Sequence, residues 1–137
     1  MPQRDMRSNV ASDLGFYAAI STNTTTTGQI IDTADYDSGV MFSFAALAYT
    51  DGTYTPLITE SDNSGMAGAT QVPDTNLIGT EAAAALSAAT TVGSSMTTLG
   101  IGNTKRYVQI SIVSTGVTTG ATITATTSKM PELKPAA

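Results

Sequence analysis

The sequence predicts an all-β protein: a jelly-roll-like antiparallel β-sandwich with extended terminal arms and at most one short helix. Three observations predict it. Apolar residues recur with period two along several short runs, while helical periodicity is nearly absent. β-Branched threonine is in excess, and it suits the solvent face of a pleated strand. Turn signals rich in Gly and Asp separate the runs, and roughly seven or eight short strands so spaced read as a sandwich or jelly roll.

The elements follow in order. Residues 1–13 are polar and read as an N-terminal arm. Weaker strands are expected over 14–20 and 29–32. Residues 40–49 (VMFSFAALAY) form the most apolar run, with Val40, Phe42, Phe44, Ala46 and Ala48 on one face. Met41, Leu47 and Tyr49 occupy the other face, which predicts a strand covered on both sides. Asp51-Gly52 signals a hairpin turn, and residues 54–60 return as a strand with Pro56 favouring an edge. Over 80–89 the Ala-rich stretch favours one or two helical turns capped by Thr80. A weak strand is expected over 92–99.

The clearest strand covers 106–114, with Val108, Ile110 and Ile112 opposite Gln109 and Ser111. TGVTTG at 115–120 reads as a hairpin connection into a last strand over 121–127, where Ala121, Ile123 and Ala125 face inward. The sandwich domain thus spans 14–128, and residues 129–137 (KMPELKPAA) form a C-terminal tail.

Composition narrows the function. The 137 residues contain neither Cys nor His, which removes thiol nucleophiles, disulfides, Ser-His-Asp triads, haem ligation through His or Cys, and Cys/His zinc sites. No cofactor is expected. Six Lys and Arg against eleven Asp and Glu give a net charge of -5, which argues against a nucleic-acid partner. No apolar run approaches the roughly 20 residues of a membrane helix, and residues 1–13 lack the apolar stretch of a secretory signal. No basic residue lies between Ser8 and Thr104. The cations Arg4, Arg7, Lys105, Arg106, Lys129 and Lys134 flank an acidic body, which makes them the candidate contacts to a neighbouring subunit.

The motifs carry little chemistry. Residues 35–39 (DYDSG) and 60–65 (ESDNSG) bunch oxygen side chains before Gly, as calcium loops do, but neither has the Glu that completes an EF-hand. Turns use the same residues. Asp35 with Asp37, or Glu60 with Asp62, lacks the surroundings of a glycosidase pair. GIGNTK at 100–105 precedes a strand rather than a helix, so phosphate binding fails on context. Lys105 and Arg106 open the best strand, where charge marks a sheet edge or forms an intersubunit ion pair. Tyr49, Tyr54 and Tyr107 read as core rim. No catalytic constellation is expected, and the chain is read as a non-enzyme.

The segments YTDGTYTP (49–56), ESDN (60–63), LIGT (77–80) and KRYV (105–108), with the TGVTTGATITAT run after them, carry a resemblance. They resemble the cement, or decoration, proteins of tailed bacteriophages, the group of the Bordetella phage cement protein, over roughly residues 36–127. The resemblance implies a jelly roll on the outer surface of the virion head, made in the bacterial cytoplasm, which bridges neighbouring subunits of the major capsid protein. It implies a homo-oligomer, a dimer in preference to a trimer, and no catalytic residues. The alternative is a virion-surface jelly-roll module for a host receptor or carbohydrate, which the lack of Trp disfavours. The composition agrees: only 26 residues are Leu, Ile, Val or Phe, so the core is thin and association adds burial.

Overall fold

The computed structural model describes residues 11–33, 40–87, 95–98 and 105–129. Among these residues nine strands form two antiparallel sheets. β1 (Ala11–Ile20), β9 (Ala121–Lys129), β3 (Val40–Leu47), β7 (Ser95–Thr98) and β6 (Leu77–Ile78) make the five-stranded sheet in that order. β2 (Thr25–Asp32), β8 (Tyr107–Thr115), β4 (Thr53–Ser61) and β5 (Thr70–Gln71) make the four-stranded sheet. With the two-residue β6 set aside, the remaining strands are ordered as in a jelly roll.

Alternation places the core between the sheets. Phe42 and Phe44 of β3, stacked with ring centroids 6.4 Å apart, and Ile123 of β9 line one inner face. Val108, Ile110 and Ile112 of β8, with Tyr54 and Ile58 of β4, line the other. These side chains are fully buried, and the intervening residues are more exposed except Ser111 of β8, which is buried as well.

The turn chemistry at Asp51-Gly52 and at 116–120 is present, but neither turn closes a hairpin. β3 and β4 lie in different sheets, as do β8 and β9, so both turns are corners between layers. Among the described strands, consecutive ones pair only at β4–β5 and β6–β7. The corners are bonded to each other. The Asp51 carboxylate accepts the amides of Thr118 (3.1 Å), Thr119 (3.0 Å) and Gly120 (2.9 Å). These bonds, Thr119 first, hold the Asp51 carboxyl below its ordinary range. Tyr54 Oη donates to the Asp51 carbonyl at 2.8 Å.

Other expectations need correction at the boundaries. β1 begins at Ala11, so residues 11–13 belong to the sheet rather than to an arm. Lys129 is not a tail residue: it ends β9, pairs with Ala11 and Val40, and is buried. The Ala-rich stretch forms one turn, with Thr80 Oγ1 accepting the Ala83 amide at 3.1 Å and Thr80 O accepting the Ala84 amide at 3.0 Å. It stops because Leu86 exchanges two backbone hydrogen bonds of 2.8 Å with Tyr54, which completes an uncovered stretch of β4. Pro56 fits β4 because β5 pairs only with Thr59 and Glu60, leaving the strand's outer side unpaired at position 56.

Candidate interaction surface

Glu60 and Glu81 each hold a backbone amide of a neighbouring segment. Glu60 is buried and accepts the Lys105 amide at 2.9 Å. Glu81 accepts the Ile58 amide at 3.2 Å and the Gln71 side chain at 2.6 Å, and burial pushes its carboxyl upward. In the 60–65 segment Ser61 Oγ accepts the Asn63 amide and Asn63 Oδ1 accepts the Gly65 amide, the bonding of a turn. Among the described residues no three of His, Cys, Asp and Glu gather as metal ligands would. The 35–39 motif lies outside the described residues.

Of the proposed contact cations, Lys105, Arg106 and Lys129 lie among the described residues. Arg106 pairs with Asp32 of its own chain through two bonds of 2.9 Å and stacks 5.0 Å above the Tyr107 ring. Its strand, β8, is central in its sheet, so the pair Lys105-Arg106 does not mark a sheet edge. Lys129 is buried in β9. Arg4, Arg7 and Lys134 lie outside the described residues. The tyrosines divide: Tyr54 is core, Tyr49 packs edge-on against it with centroids 6.3 Å apart, and Tyr107 lies under Arg106.

Two surface features were not foreseen. The first is the outer face of the five-stranded sheet. Among the described residues it carries five of the six exposed large apolar ones: Leu14, Tyr17, Met41, Leu47 and Ile78. Tyr17 keeps 66% of its surface and Ile78 60%. The other outward residues of β1, β9 and β3 are Ser, Thr and Ala, so this face shows no charged side chain among the described residues. The expectation that β3 is covered on both sides therefore fails in the isolated chain, where Met41 and Leu47 face solvent. The signal was the large outward residues of 40–49, read as a second covered face.

The second feature is a groove of about 590 Å³ where the edge strands β1 and β2 approach. Leu14, Phe16, Tyr17 and Ile30 supply its apolar walls, and Thr26, Gln29 and Gln109 its polar ones. No lining residue is charged. Each strand is bulged here, β1 between Leu14 and Phe16 and β2 between Thr27 and Ile30. The bulges meet at Gly15 and Gly28, where a Cβ on Gly28 would overlap the Gly15 carbonyl oxygen. On the opposite edge of the four-stranded sheet, β5, Glu81 and Leu86 cover β4.

No family model matches the sequence, and no curated protein matches it. Among solved structures the chain is similar to the PBSX exported protein XepA, at 19% identity with a TM-score of 0.56. The match covers 93% of this chain and 39% of that one, so the chain spans about two fifths of XepA's length. This likeness shows the fold, an antiparallel sandwich.

Proposed function

We propose that the protein is a non-catalytic structural component of a bacteriophage virion, a cement or decoration protein on the outer head surface. It bridges neighbouring subunits of the major capsid protein and acts as an assembly of copies of itself. The observation that carries this reading is the open β1–β2 groove, uncharged, with exposed Ile30 on its β2 side. Open strand edges and exposed apolar side chains are liabilities in a free monomer and assets in a chain that works bound. The motif resemblance and the fold shared with XepA support the same reading.

On this account the groove side seats on the head. Burial there adds apolar contact that a thin core lacks, and binding stabilises the bound fold by mass action. The test is heat-induced DNA release from heads with and without the protein. Release at a higher temperature with the protein present supports the reading, and identical release contradicts it. A receptor or glycan module would instead bind host cell surfaces and leave the release temperature unchanged.

A further inference from the structure

We infer that the outer face of the five-stranded sheet is a self-docking surface, and that two copies meet on it about a two-fold axis running along β9. This rests on the proposed role only in taking the protein to act as an assembly. The surface itself is argued from strand register.

β9 lies between β1 and β3, and the pairing fixes which outward residues stand level. Leu14, Thr126 and Ser43 form one row across the three strands. Tyr17, Thr124 and Ala45 form the next, and Ala19, Thr122 and Leu47 the third. In every row a large residue and a small one flank a threonine. A two-fold along β9 lays β1 of one copy over β3 of the other at the same level. Leu14 then covers Ser43, Tyr17 covers Ala45 and Leu47 covers Ala19, each twice by symmetry, while Thr124 meets Thr124 on the axis. Large side chains fill the space above small ones, as facing sheets in a sandwich core do. An isologous contact requires this kind of self-complementarity.

The self-complementary rows select a second copy as the occupant, and charge permits it. At a net charge of -5, two chains repel wherever carboxylates oppose. Asp32, Asp51, Asp62 and Asp74 all lie off this face, on β2, in turns or in the short 3-10 turn. Among the described side chains, two acidic copies can therefore touch here with no like charges opposed.

Sedimentation of the full chain over a concentration series, with no heads present, tests this separately from head binding. The native chain is expected to dimerise. Thr124→Asp, which opposes two carboxylates on the axis, should weaken the dimer about a hundredfold, since opposed like charges at an interface cost several kcal/mol. Thr55→Asp, on the outer face of the other sheet, should leave it intact. Should Thr124→Asp fail to fold, the absence of native cysteine allows a second test. Thr124→Cys should be joined into dimers by a short bis-maleimide, and Thr55→Cys should not. A native chain that stays monomeric, a dimer weakened equally by both charge substitutions, or cross-linking at 55 rather than 124 overturns the inference.

Discussion

Asp51 and Gly120 hold two corners of the sandwich together: Asp51 Oδ1 accepts the Gly120 amide at 2.9 Å, while the Gly120 carbonyl accepts the Thr50 amide at 3.0 Å. Three consecutive amides converge on the one carboxylate, an anion nest filled by the chain's own side chain. Asp51→Asn leaves one acceptor oxygen and turns a donor group toward the amides, so the melting temperature should fall at neutral pH.

The same bonds set a pH dependence. The folded Asp51 pKa lies below its unfolded value, so its contribution is complete above the ordinary carboxylate range and is lost as pH falls through the folded pKa. Glu81 acts oppositely, because burial raises its folded pKa: its contribution is present below the unfolded value and is lost as pH rises through the folded one. Melting curves on the acid side should therefore show a decline that is shallower in Asp51→Asn than in the native chain.

The Gly15–Gly28 crossing admits no side chain on Gly28. Gly28→Ala forces the two bulged strands apart at the groove, and an overpacked site of this kind costs about 1–3 kcal/mol. Denaturant titration should show this as a lower midpoint with an unchanged slope.

Phe44 is buried against Phe42 in the thin core. Phe44→Ala should cost about 3–5 kcal/mol, a large share of the roughly 5–15 kcal/mol of a small domain. By contrast the exposed Arg106–Asp32 pair should matter little: Arg106→Ala should change unfolding free energy by less than about 1 kcal/mol.

Much of the fold was legible because the core strands alternate cleanly. Val108, Ile110 and Ile112 in β8, and Ala121, Ile123 and Ala125 in β9, face inward as their spacing dictates. Layer assignment was not legible, since Asp51-Gly52 and 116–120 use the same residues in a corner as in a hairpin. The strands β5 and β6, two residues each, are too short to show periodicity. Alanine propensity over 81–85 lost to tertiary pairing, because Leu86 completes β4. Of the candidate surface, charge pointed to Arg106 and Lys129, yet one is paired within its chain and the other is buried. The informative residues were Tyr17, Met41 and Leu47, large and apolar at outward positions, whose meaning depends on the neighbouring strands.

Saturation binding of the protein to heads stripped of it tests the central claim most directly. Cement function predicts binding that saturates at a fixed number of copies per head, and Ile30→Asp in the groove wall should weaken it by tenfold or more, about 1.4 kcal/mol, while leaving the melting temperature near that of the native chain. No binding to heads at any concentration, or unaltered binding by folded Ile30→Asp, would contradict the account.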